Sequence, residues 1–198
     1  SYSIFPDSDL ARFQLQELTE NLKELTEVKN EKFVTASQIL SSALNLENLI
    51  IIKHEAESLL KTKNTHSYVY KTNFGNVLVN NASQDTSYLQ SQLKDIALII
   101  DLGGNDWYAN VNIPIIDFTG NDVYESNEDW VLGSGTFDVN FLVDLNGDDQ
   151  YTVRSGGIGS SLFGVSFFWD LNGNDKYRCK QYCLATSFGG VSIFIDEA

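Results

Sequence analysis

The sequence predicts an α+β protein: an N-terminal helical segment over residues 1–66, followed by a parallel β-solenoid (β-helix or β-roll-like) repeat array over residues 67–198. Three observations predict it. Apolar residues in the first third recur at helical steps, the acidic residue type switches from Glu to Asp near residue 66, and a motif Asp-x-x-Gly-(Asn/Asp)-Asp-x-Tyr then recurs four times.

In residues 9–29, Leu10, Phe13, Leu18, Leu22, Leu25 and Val28 fall mostly three or four apart with Glu and Lys between them, the pattern of an amphipathic helix. Thr35-Ala-Ser-Gln38 fits a capping box. An apolar stripe over 39–44 then leads to Asn45, a candidate N-cap for a helix reaching Leu60. Such a segment is expected to cover the first turn of the array as a cap, or to dock a partner, because open solenoid ends need covering. After Thr65 the pattern changes to short β-rich runs at 68–70 and 77–79, bounded by Asn and Gly.

The motif copies lie at 101–108, 117–124, 144–151 and 170–177, each after an apolar run, and a fifth copy opens at Asp196. A degenerate earlier copy over 77–88 keeps the apolar run, one Asp and the Tyr but lacks the glycine. The leading Asp residues are spaced by 16, 27, 26 and 26, so the first interval departs from the period and the chain is expected to be cut inside a repeat. About 26 residues supply two or three short strands with tight turns, too few for a four-stranded propeller blade. Both faces of the strand before each turn are apolar, as in Phe167-Phe168-Trp169, so each strand should be covered on both sides. The glycine is expected to provide a positive φ, with Asp and Asn capping the turn. Asp106 and Tyr108, two apart, should share a face.

Charge narrows the partners. Residues 1–66 carry ten acids, eight of them Glu, against seven bases; residues 67–198 carry seventeen acids, fourteen of them Asp, against six bases. Glu favours helices and Asp favours turns and ion-binding loops. A net charge of −14 argues against nucleic acid or an anionic membrane and for cations or basic proteins. No apolar run approaches the roughly 20 residues of a spanning helix. The chain contains no Met and does not open on a signal peptide, which implies processing or an imposed boundary.

In-register stacking would bring equivalent aspartates within about 4.8 Å, where two charges repel by roughly 1 kcal/mol in water or about 3.5 kcal/mol at an effective dielectric of 20. Such a ladder calls for cations. Calcium suits, taking six to eight oxygens from carboxylates, Asn side chains and turn carbonyls. The candidate ligands are Asp101, Asp106, Asp117, Asp122, Asp144, Asp149, Asp170 and Asp175. The other reading of the same residues is that they only cap turns while Tyr stacks on Tyr.

The string Gly-Asn-Asp-x-Tyr resembles the repeats-in-toxin nonapeptide, whose Gly-Asn-Asp-x-apolar core binds calcium between turns of a β-roll; that resemblance points to Asp106, Asp122, Asp149 and Asp175, without the nine-residue spacing. Phe163-Gly-Val-Ser with Asp-Leu-Asn-Gly also resembles the FG-GAP repeats of integrin-type propellers, against which the period argues. Residues 77–198 as a whole look like exported bacterial proteins with Asp-x-Gly-Gly-Asp-Asp-x-Tyr repeats, which implies a secreted or cell-surface location and no activity.

Catalytic patterns are sparse. His54 and His66 are the only histidines, and no HExxH, GxSxG or P-loop occurs. Paired carboxylates leave a glycosidase-like acid and base open, but an active site is needed once and this motif occurs four times. Trp107, Trp130 and Tyr182 are candidates for a glycan-binding surface. If their segment is extended, Cys179 and Cys183 stand about 13 Å apart and cannot bridge. The leading expectation is a non-enzymatic, calcium-binding structural or interaction module, with a protein or glycan partner. The alternatives are a carbohydrate-active β-solenoid enzyme using a carboxylate pair, and a metal-free interaction scaffold.

Overall fold

In a computed structural model the described residues are 31–73 and 75–197. The amphipathic stretch 9–29 lies outside them.

Helix α1 is described over residues 31–43. It absorbs the expected capping box: the Thr35 hydroxyl donates to the Glu31 carbonyl four residues back, so Thr35 lies within the helix and not at its start. Helix α2 is Leu46–Lys63. Asn45 caps it, its side chain accepting the Asn48 N–H at 3.0 Å, and Asn64 ends it in the left-handed conformation with φ 50°.

Among the described residues fifteen strands follow. A seven-stranded sheet contains β1 (Ser67–Thr72), β2 (Gly75–Asn80), β4 (Ile96–Asp101), β6 (Ile115–Asp117), β9 (Val139–Asp144), β12 (Val165–Asp170) and β15 (Val191–Asp196), in that spatial order. A five-stranded sheet runs β13 (Lys176–Cys183), β10 (Gln150–Gly157), β7 (Val123–Asp129), β5 (Trp107–Ala109), β3 (Ser87–Leu89). A three-stranded sheet is β14 (Ser187–Phe188), β11 (Ser161–Leu162) and β8 (Gly135–Thr136).

This corrects the expected parallel β-solenoid. The described chain is two helices followed by a mixed seven-stranded sheet, with two smaller parallel sheets. In the large sheet β1 pairs with β2 antiparallel, because only two residues link them and so short a link can only reverse direction. The third sheet receives strands from the last three repeats alone. The 16-residue interval between Asp101 and Asp117 spares only residues 110–114 to join β5 to β6, too few for a strand in the third sheet, yet Asp101 still pairs with Asp117.

Period-two alternation divides the large sheet between two cores. Leu142 and Phe168 face inward with Tyr108, Tyr124, Tyr151 and Ile158 of the smaller sheets and turns. Val143, Phe167 and Trp169 face outward and join Leu49, Ala56 and Leu60 of α2. Burying such side chains stabilises by about 1.5–3 kcal/mol each. Helix α2 therefore lies across the outer face of the sheet, where the sequence suggested a cover over the first repeat.

Four backbone positions adopt positive φ in each of the last three units: Trp130, Gly156 and Tyr182; Leu132, Ile158 and Leu184; Gly133, Gly159 and Ala185; Phe137, Phe163 and Gly189. Glycine is not required at any of the four, since each also carries a non-glycine residue. The turn at Tyr182 (φ 56°) shortens its segment and brings the Cα atoms of Cys179 and Cys183 to 6.3 Å, where they form a disulfide. The expectation of unbridged cysteines is corrected accordingly.

Candidate metal centre

The leading Asp of each repeat ends a strand of the large sheet, and register pairing stacks Asn80, Asp101, Asp117, Asp144, Asp170 and Asp196 in one row. The motif tyrosines form a parallel row in the five-stranded sheet. Tyr88, Tyr108, Tyr124, Tyr151 and Tyr177 stack with ring centroids 4.7, 4.6, 4.8 and 4.9 Å apart. The two rows meet through hydrogen bonds. Tyr88 donates to Asp101 Oδ2, Tyr108 to Asp117 Oδ2 at 2.5 Å, Tyr124 to Asp144 Oδ2 at 2.6 Å, and Tyr151 to Asp170 Oδ2 at 2.8 Å. Burial, then the neighbouring aspartates, raises the pKa of Tyr108, Tyr124 and Tyr151, so these phenols stay protonated donors. The other oxygen of the leading Asp closes the turn, accepting the N–H of Gly103, Thr119 or Asn146 at 3.0 to 3.2 Å.

The second Asp of the motif is held differently. Oδ1 of Asp122 accepts the N–H of Asp106 at 2.5 Å, Asp149 that of Asp122 at 2.6 Å, and Asp175 that of Asp149 at 2.8 Å. The preceding residue builds a second ladder in the opposite direction. Asn105 N–H donates to Asp85, Asn121 to Asn105, Asp148 to Asn121 and Asn174 to Asp148, all at 2.8 to 3.0 Å. Sequence reasoning assigned this ladder no role. The signal was the constancy of Asn or Asp at that place in every copy.

The motif glycine serves a close approach. A Cβ on Gly120 would lie 1.8 Å from the Gly104 carbonyl oxygen, on Gly147 1.7 Å from that of Gly120, and on Gly173 1.7 Å from that of Gly147. This corrects the positive φ expected at every copy. Among the motif glycines only Gly104, in the first copy, has it.

These contacts assemble three groups of buried carboxylates: Asp101, Asp106 and Asp117; Asp117, Asp122 and Asp144; Asp144, Asp149 and Asp170. Within each, one ligand atom per residue lies within 4.8 Å of the others, a geometry that can hold a metal ion. Seven of the eight candidate ligands are thus brought together. Asp175, only partly buried, joins none of the three.

The second Asp in each group is the notable member. Asp106, Asp122 and Asp149 are at most 2% exposed, and their Oδ2 atoms have no hydrogen-bond partner; nor does Oδ1 of Asp170. Burial pushes Asp106 and Asp149 up to about 8 and Asp122 and Asp170 up to about 7, with neighbouring carboxylates adding to the shift. Asp117 and Asp144 are raised well above the usual carboxylate range, first by burial and then by the surrounding aspartates. A buried carboxylate lacking a partner must either take up a proton or meet a cation.

At the start of the row the site dissolves. Asn80 occupies the leading position and donates to the Tyr88 hydroxyl, and Thr86 occupies the second, its N–H donating to Asp106 Oδ1. Of the proposed glycan-binding aromatics, Trp130 and Tyr182 both meet Phe188 edge-on at 6.0 and 5.5 Å, while Trp107 lies on β5. Among the described residues no helix is long and apolar enough to cross a membrane. No known protein family, curated protein or solved structure matches the chain.

Proposed function

We propose that this chain is a non-enzymatic, calcium-binding structural or interaction module of an exported or cell-surface protein. One observation carries the reading. In each of the three carboxylate groups, the second aspartate presents a buried oxygen with no hydrogen-bond partner toward two further carboxylates. A divalent cation satisfies that oxygen and offsets the repulsion at once.

Size and hydration favour calcium over magnesium. Magnesium retains several waters and is seldom held by an all-protein cage, whereas calcium accepts a dense set of protein oxygens at 2.3–2.6 Å. Aspartates that are 0–2% exposed leave a hydrated ion little room. The same burial speaks against a hydrolase at these carboxylates, since no substrate reaches them. The Cys179–Cys183 bridge supports an oxidising compartment, and with it export.

The test is thermal unfolding of the chain near neutral pH with about 5 mM calcium and with excess EDTA, since a ligand confined to the native state stabilises it by about 2.7 kcal/mol at a hundredfold excess over its Kd. A rise of several degrees with calcium, smaller in Asp149→Asn, which loses one of the three groups, supports the reading. Identical unfolding in both conditions overturns it and leaves the aspartates as turn caps of a metal-free scaffold.

A further inference from the structure

The three carboxylate groups are not separate sites. Asp117 belongs to the first and the second, and Asp144 to the second and the third. We propose, on the basis of the cation-binding reading above, that the groups hold a single file of three ions in which Asp117 and Asp144 each bridge two ions while Asp106, Asp122 and Asp149 each serve one.

The hydrogen bonds leave the right capacity for this. An ionised carboxylate has about four lone-pair positions on two oxygens. On Asp117, Oδ2 accepts the Tyr108 hydroxyl and Oδ1 the Thr119 N–H; on Asp144, Oδ2 accepts Tyr124 and Oδ1 the Asn146 N–H. Each oxygen keeps one lone pair, so each of these residues retains two, one per neighbouring ion. Asp106, Asp122 and Asp149 instead spend Oδ1 on a backbone N–H and keep a wholly free Oδ2. Asp170 closes the far end: Tyr151 and Tyr177 both donate to its Oδ2, leaving Oδ1 buried and free for the third ion.

Charge closes as well. Seven carboxylates against three divalent ions leave a net charge of −1 over the file. The bridging carboxylates, one strand spacing of about 4.8 Å apart, sit where they screen successive ions from each other. The file stops at the near end because Asn80 and Thr86 replace the two aspartates there.

Bound calcium per chain, counted by elemental analysis after equilibrium dialysis, tests the sharing. The expected counts are three for the native sequence, two for Asp106→Asn, which serves one site, and one for Asp117→Asn, which serves two. Three ions in the native chain with two in both variants would overturn the shared file while leaving calcium binding intact. No bound ion in the native chain would overturn the cation reading itself, and the file with it. A measurement on the native chain alone guards against a variant that fails to fold. When it is loaded with mixed europium and neodymium, ions about one strand spacing apart should quench europium emission almost completely. A europium lifetime unchanged by neodymium at full loading would overturn the file.

Discussion

Raising the pH of the metal-free protein is the sharpest perturbation the structure offers. Asp149 is fully buried and its Oδ2 has no partner, and burial together with the charges of Asp122, Asp170 and Asp175 lifts its pKa from 3.8 to about 8. The folded chain therefore holds this proton more tightly than the unfolded chain. The stability it confers is present in full below about pH 4 and is lost progressively as the pH rises toward 8. Each unit inside that window costs about 1.4 kcal/mol, so moving from about pH 5 to about pH 7 costs about 3 kcal/mol for this one group. In a chain of this size, that lowers Tm by roughly 6–12 °C. Asp106, Asp122 and Asp170 shift in the same direction and deepen the fall. On the proposed reading saturating calcium should reverse it, because the ion would take the place of the proton on the ionised carboxylates. The assay is calorimetric or circular-dichroism melting at several pH values, with EDTA and with calcium. Metal-free stability that stays level or rises from about pH 5 to about pH 7 would refute the account of these carboxylates as buried and unpartnered.

Three substitutions test the supporting structure. Tyr124→Phe keeps the ring in its stack but withdraws the 2.6 Å hydrogen bond to Asp144, and should cost about 1.5–3 kcal/mol in urea unfolding. Gly147→Ala places a Cβ 1.7 Å from the Gly120 carbonyl oxygen; forcing adjacent turns apart should cost at least about 3 kcal/mol or prevent folding, read by Tm and soluble yield. Asn45→Ala removes the cap on α2 and should cost about 1 kcal/mol without altering calcium binding, which separates the helical layer from the carboxylate row.

Much of the local structure was legible in the residues. Asn45 marked the start of α2 because a side-chain amide that accepts the N3 amide is a local device, and the apolar runs marked strands because alternation of two is local too. The aspartates that meet were readable from their recurrence, since equal spacing in sequence brings equal residues together when strands pair in register. What recurrence did not carry was direction and partner. The antiparallel pairing of β1 with β2 depends on how a two-residue link turns, and the bridging of Cys179 with Cys183 on one left-handed residue at Tyr182. Asp101 and Asp117 paired despite a 16-residue interval because the missing residues belong to the third sheet, which the first of these repeats does not enter. The sequence by itself determined which residues repeat and that their charge requires compensation. Only the tertiary structure decided that Tyr hydroxyls and backbone N–H groups satisfy most of the carboxylate oxygens and leave one on each second aspartate bare, because hydrogen-bond partners are assigned by packing between strands distant in the chain.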